Sequence, residues 1–367
     1  MHVLEAGDPG RPALLLLHGF PELAFSWRKV IGPLAAAGYH VIAPDQRGYG
    51  RTTGWDSGYD TDLRPFRLLN LVRDALALAS ALGHRSVAAV IGHDFGAPVA
   101  AACALARPDV FRSVALMSAP FTGPPTLPFN AGARPSAPDP IHHALAQLDP
   151  PRKHYQWYYS TRSANGDMWR APQGVHAFLR AYYHYKSADW PGNVPSPLQS
   201  WSAAELARMP SYYIMPAAEG MASVVAPHMP SPEAIARCAW LTEDELATYA
   251  GEFGRTGFGG GLHWYRCRTE GINADLDLFS GRTIDVPSVF IAGSSDWGPY
   301  QTPGALGRMQ SQACTRMTGC HLVPGAGHWV QQEQPEQVTA LLLRFLRPGR
   351  DDRGERSCSI PSAPSRT

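Results

Sequence analysis

The stretch Val87-Ala-Ala-Val-Ile-Gly-His-Asp-Phe-Gly96 decides the fold. Residues 87–91 are a short, continuously apolar run, which reads as a strand buried on both faces. Small residues follow from about 97 to 106 and read as a helix. Between strand and helix stands Gly92-x-Asp94-x-Gly96, the pattern of a nucleophile elbow, with Asp where Ser is usual. The glycines are needed because the turn is too tight for side chains. The turn lifts its central side chain above the carboxyl edge of the sheet, and the start of the next helix adds a positive dipole beside it. A Gly-rich turn with a helix-capping Asp is the competing reading. The order strand, turn, helix favours the elbow.

Working outward, strands are expected at Ala13–Leu17, 39–43, 113–117, 286–292 and 321–323, with helices at 65–82, ending at Gly83, and at 335–346. Apolar strands alternating with helices predict an α/β fold with a mostly parallel central sheet flanked by helices. The alternation stops at a Pro-, Gly- and Ala-rich linker, 123–140. Up to about residue 280 the chain is rich in Trp and Tyr with helical stretches such as 231–251, which reads as an inserted helical cap. The expected organisation is therefore core 1–122, linker and cap 123–280, core 281–347 and a disordered polar tail 348–367. Only about a dozen residues precede the first strong strand, room for only part of an edge hairpin.

Composition narrows the functional classes. In 367 residues, 32 basic side chains face 31 acidic ones for a net charge of +1, so nothing attracts nucleic acid or an anionic membrane surface. Apolar residues make up 44% and charged residues 17%, as in ordinary globular proteins. No apolar run reaches the about 20 residues that cross a bilayer. The first twelve residues, with His2, Glu5 and Asp8, lack the plan of a secretion signal, so a cytoplasmic protein is expected. The six cysteines (103, 238, 267, 314, 320 and 358) form no C-x-x-C pair. Reduced thiols are the default and no metal site is expected.

An Asp nucleophile constrains the chemistry. A serine that attacked saturated carbon would leave a stable ether, whereas a carboxylate leaves an ester that water can cleave. Epoxides and alkyl halides are the obvious electrophiles. The fold orders its triad nucleophile, acid, base. Asp296, in Ile291-Ala-Gly-Ser-Ser-Asp-Trp297, and His328, in Pro324-Gly-Ala-Gly-His-Trp329, follow Asp94 in loops after strands. His328 would activate water, and Asp296 would orient the imidazole. The segment His18-Gly-Phe-Pro-Glu22 follows the first strong strand, so the amides of Phe20 and Phe95 are the expected oxyanion donors. His93 is expected to pack or hydrogen-bond rather than act as a second base.

Four motifs carry a family resemblance: His18-Gly-Phe-Pro-Glu22, Asp45-Gln-Arg-Gly-Tyr-Gly50, Gly92-His-Asp-Phe-Gly96 and Gly325-Ala-Gly-His-Trp329. Together they resemble the soluble epoxide hydrolases of the α/β-hydrolase fold, and the resemblance runs over about 3–347. It includes the cap segments Tyr155-Gln-Trp-Tyr158 and His263-Trp-Tyr-Arg266. The resemblance implies that Tyr155 and Tyr265 hydrogen-bond the epoxide oxygen, with Tyr158, Tyr183 and Tyr213 as competitors. Gln156 and Trp264 are expected to line the substrate pocket. The implied substrate is a small apolar or aromatic epoxide, with no cofactor or metal, and a homodimer is admitted as an assembly. The chain departs from the family at Phe95, where Trp is usual, at His263, where Asn is common, and in its late start. A haloalkane or haloacid dehalogenase would share the Asp nucleophile, but Phe95 replaces the usual halide-holding Trp, and no Arg follows Asp94. A non-catalytic ligand-binding protein would have no need of the full triad.

Overall fold

The computed structural model describes residues 1–125 and 139–347; the tail and most of the linker expected above lie outside the described residues. Seven strands form one sheet: β1 (Val3–Ala6), β2 (Ala13–Leu17), β3 (His40–Pro44), β4 (Val87–His93), β5 (Val114–Met117), β8 (Ser288–Gly293) and β9 (Met317–Val323), counted with the cap pair β6 (Arg152–His154) and β7 (Ile214–Pro216). Their order is β1-β3-β2-β4-β5-β8-β9. All neighbours are parallel except β1, which runs antiparallel to β3 as a single edge strand.

Side chains alternate between two cores, as the period of a strand requires. Leu14, Leu16, Ala89 and Ile91 face the core covered by helix α1 (Arg28–Ala36) and the final helix, Pro335–Leu346. Leu15, Leu17 and Val90 face α2 (Leu68–Ala81) and α3 (Gly96–Ala106). Gly83, with φ +82°, ends α2 in the left-handed conformation that glycine adopts without steric cost.

Between β5 and β8 the described residues add no strand to this sheet. They form helices and the antiparallel ribbon β6–β7. Tyr155 directly follows β6, and its amide bonds to the Tyr213 carbonyl at 2.9 Å, which extends the ribbon to the residue of interest. The helix Gly259–Thr269 carries Tyr265 and meets the core where Gly48 and Gly260 touch backbone to backbone; a Cβ on either would collide with the other.

Two expectations need correction. The helix expected over 231–251 is two helices, Pro232–Arg237 and Glu243–Thr256. Thr242 accepts from the Glu245 amide while the Glu245 carboxylate accepts from the Thr242 amide, and this reciprocal cap starts a new helix. Reduced thiols are found at Cys103, Cys238, Cys267 and Cys314, but Cys320, on the edge strand β9, is disulfide-bonded. Scattered spacing carries no signal of such a bond. Among the described residues no helix is long and apolar enough to cross a membrane.

Candidate active site

Asp94 sits at the top of β4 with φ +50°, one of two non-glycine residues with positive φ among the described residues. Asp tolerates this left-handed region better than most residues. The surrounding glycines make the turn physically feasible. A Cβ on Gly92 would strike the Gly96 carbonyl, one on Gly96 the Leu17 carbonyl, and one on Gly19 the Asp94 side chain. The Ala-rich α3, buried along nearly its whole length, lets the helix approach the sheet closely.

The three residues expected to form a triad come together from three loops. His328 Nδ1 lies 3.1 Å from Asp296 Oδ1, while Nε2, which has no hydrogen-bond partner among the described residues, stands 3.3 Å from Asp94 Oδ2. Asp296 also accepts from the Gly298 amide at 2.7 Å. Burial alone would raise the Asp94 pKa. The His328 imidazole, with the charges of Lys186 and His93, outweighs burial and holds the carboxyl well below the usual carboxylate range. Asp296 is likewise lowered, against burial, by His328, Ser118 and the Gly298 amide. Both acids are therefore ionised at neutral pH.

The Phe20 amide donates to Asp94 Oδ1 at 3.0 Å, the direction from which an expected oxyanion donor would reach that carboxyl. Phe95 follows Asp94 at the mouth of α3, and it lines the cavity above the Asp94 carboxylate. His18 is turn structure: Nδ1 lies 2.9 Å from its neighbour's carbonyl, and Nε2 accepts from the Gln46 amide at 3.0 Å. His93 is fully buried, with Nδ1 2.6 Å from Glu22 and Nε2 2.7 Å from the His328 carbonyl. Burial opposes both charges of that pair, but each partner favours the other, so Glu22 is lowered and His93 raised.

A cavity of about 190 Å³ opens over Asp94 between core and cap. Tyr155, Gln156 and Tyr265 line it from the cap, and Gln301 and Thr302 from the core. The Tyr155 hydroxyl donates to Gln301 Oε1 at 3.0 Å and accepts from Gln156 Nε2 at 3.1 Å. The Tyr265 ring is held edge-on by Phe20, Phe95 and Tyr159. Burial first, and then the Asp94 charge, push both phenols up, so they remain protonated donors. The competing tyrosines are placed elsewhere. Tyr158 donates to Asp167 and Tyr183 to the Pro21 carbonyl, while Tyr213 packs behind Tyr155 at 5.0 Å.

Trp264 is absent from the cavity wall, against expectation. Its indole donates to the Arg47 carbonyl at 3.0 Å and its ring supports Phe95 from behind, because the buried face of its helix turns that way. His263 also points away, toward Phe66 and the Asp56 carbonyl, and burial with the Arg266 charge lowers its pKa to about 4.

Several residues at the site escaped the sequence reading. Ser118, at the end of β5 with φ +67°, donates to Asp296 Oδ2 at 2.5 Å and lies 3.0 Å from His328 Nδ1. Glu333 accepts from the amides on either side of His328, Gly327 and Trp329, and from Ala188 of the cap segment. Burial pushes its carboxyl up to about 7, against those three hydrogen bonds. The only available signal was Ser118's place immediately after a predicted strand, where this architecture gathers functional side chains. Ser118→Ala is expected to slow ester hydrolysis about tenfold, the loss of roughly one charge-assisted hydrogen bond, with alkylation unchanged. Single-turnover kinetics that resolve the two steps check this.

Comparison with known proteins agrees with this geometry. The family model described as alpha/beta hydrolase fold matches residues 12–215. Epoxide hydrolase A of Mycobacterium tuberculosis is 35% identical over 94% of both chains, and epoxide hydrolase B of the same organism is 34% identical over 94% of this chain and 95% of its own. Among solved structures, an epoxide hydrolase from an endophytic Streptomyces superposes with TM-score 0.74 at 32% identity, covering 94% of this chain and 91% of that one. The elbow, its partners and this likeness over nearly the whole length lead to one statement: the chain belongs to the α/β-hydrolase fold family, and within it to the epoxide hydrolases.

Proposed function

We propose that the chain converts an epoxide and water to a vicinal diol through an ester on Asp94, with residues 1–122 and 281–347 as catalytic core and 123–280 as linker and cap. The observation that carries this reading is one cavity with an ionised carboxylate on its floor and two protonated phenols in its cap wall. Asp94 attacks a ring carbon from the side opposite the C–O bond. That bond breaks, its electron pair moves to oxygen, and Tyr155 and Tyr265 hydrogen-bond the new alkoxide, one supplying a proton. To engage substrate, Tyr155 must turn its proton from Gln301 to the epoxide. His328 then takes a proton from water, which adds to the Asp94 carbonyl carbon. The amides of Phe20 and Phe95 hold the resulting oxyanion; its collapse breaks the ester C–O bond, the imidazolium gives its proton to the departing alkoxide to release the diol, and the proton left on the Asp94 carboxyl returns to the tyrosinate. Asp296 keeps the imidazole oriented and stabilises its charged form.

The substrate is an apolar or aromatic epoxide of small size, a reading supported by the Phe95, Tyr155 and Tyr265 rings around Asp94 and by the modest cavity. Cytoplasmic residence belongs to the same reading and is supported by the four free thiols among the described residues; the Cys320 disulfide pulls the other way.

The test is kinetic. Tyr155→Phe and Tyr265→Phe should each slow alkylation by about 10- to 100-fold, because a charge builds on the epoxide oxygen only in that step, while ester hydrolysis changes by less than about threefold. An unchanged alkylation rate in both variants would contradict the assignment. Because Asp94 is held below the usual carboxylate range, alkylation should show no acid limb between about pH 5 and 8.

A further inference from the structure

Of the 32 basic residues in this chain only three are lysines: Lys29, Lys153 and Lys186. Two lie where lysines ordinarily lie. Lys29 reaches a backbone carbonyl and Glu245 near the surface, and Lys153 covers the Tyr158 ring. Lys186 is different. It ends the helix Gly174–Lys186, is 3% exposed, and among the described residues has no carboxylate within ion-pair distance. Its ammonium sits among four rings instead, 5.0 Å from the centre of Tyr213, 5.3 Å from Tyr182 and Trp329, and 5.7 Å from Tyr212. An ammonium taken out of water without an anion is costly, and a cage of aromatic faces is one of the few surroundings that offsets the cost.

The cage is joined to the catalytic base. Trp329 follows His328 in the chain, and the His328 amide donates to the Lys186 carbonyl at 2.9 Å. Tyr213, another wall of the cage, packs on Tyr155. The groups facing the His328 imidazole are Asp94 from the elbow, His93 from β4 with its ring 5.1 Å away, and Asp296 after β8, while the Lys186 ammonium borders Trp329, the next residue along the chain. Glu333 grips the flanking amides. His93 is engaged by Glu22. Once Asp94 is esterified, Asp296 is the carboxylate left against the imidazole, and a carboxylate without an opposing cation favours the protonated, inactive base.

We propose that Lys186 is a positioning residue for ester hydrolysis: its caged ammonium is the counter-charge that keeps His328 unprotonated beside Asp296, so that the imidazole can take a proton from water at neutral pH. Burial lowers the Lys186 pKa below its ordinary value, and the charges of Asp94, Asp296 and Glu22 oppose that and favour the ammonium. Lysine delivers this charge more compactly than arginine, the chain's usual cation. Its compact charge needs no planar partner and fits among ring faces.

The proposal rests on the Asp94–His328 reading, and the experiment separates the two. Single-turnover decay of the Asp94 ester is followed across pH 5–9 in the unaltered enzyme, Lys186→Met and Lys186→Arg. In Lys186→Met, which fills the cage without charge, the acid limb of ester decay should move up by about one pH unit, while Lys186→Arg should keep the original profile. A limb unmoved in Lys186→Met, or moved alike in both variants, overturns the proposal; absence of any ester in the unaltered enzyme overturns the underlying reading instead. If Lys186→Met does not fold, the charge of Lys186 in the unaltered protein decides. With three lysines, the one shifted by four rings gives separate side-chain 13C and 15N signals. An ammonium at pH 7 is the expected result, and a neutral amine overturns the proposal.

Discussion

His328→Gln is expected to leave the enzyme alkylated. Glutamine fills much of the imidazole's space and retains a polar group, but it cannot take a proton from water. Hydrolysis of the Asp94 ester should fall by about 10³-fold or more, within the range of general-base contributions, while alkylation falls only a few-fold. The two steps separate because His328 takes a proton only in the second, from a water placed beside Asp94, whose Oδ2 lies 3.3 Å from Nε2. His93 does not substitute, since both ring nitrogens are engaged. Intact-mass analysis after mixing with styrene oxide should show one substrate mass added per chain, persisting for minutes or longer. A variant that shows no adduct but retains its diol-forming activity would contradict the assigned base.

Asp94→Asn is expected to abolish turnover, by about 10⁴-fold or more, the scale of losing a nucleophile in covalent catalysis, and to form no adduct. Asn is a better control than Ala. It tolerates φ +50°, where Ala pays about 1 kcal/mol, and its side-chain oxygen can still accept the Phe20 amide. The variant also makes a stability prediction. The folded Asp94 pKa is depressed, so its ionised form stabilises the fold above the unfolded value near about 4, and that contribution is lost as pH falls through the lower folded value. Asp94→Asn should therefore be less stable than the unaltered protein at pH 7, and the gap should begin to narrow as pH falls below about 4. Urea unfolding at pH 7 and pH 3 would show this.

What could be read from the sequence was local. The elbow announces itself because two glycines, an acid and a buried strand fall within ten residues, and the loops of Asp296 and His328 follow strands that are apolar enough to recognise. Tyr155 and Tyr265 came from resemblance alone, since a cap with many tyrosines offers no pattern that singles out two. The residues that escaped reach the site from far away in sequence. Ser118, Lys186 and Glu333 sit in no motif, and only the folded chain shows that their polar groups converge around His328. The continuous helix expected over 231–251 failed because the Thr242–Glu245 reciprocal cap outweighed helical periodicity. Trp264 was expected in the pocket, but helix rotation placed it behind Phe95.

The most direct measurement is the fate of oxygen in one turnover in H₂¹⁸O. If Asp94 is the nucleophile, the new diol oxygen comes from the carboxylate and water restores the acid. After a single turnover with enzyme in excess, the peptide containing Asp94 should gain one ¹⁸O, and the diol none. Label in the diol and none in that peptide would mean that water attacks the epoxide directly, and Asp94 would not be the nucleophile.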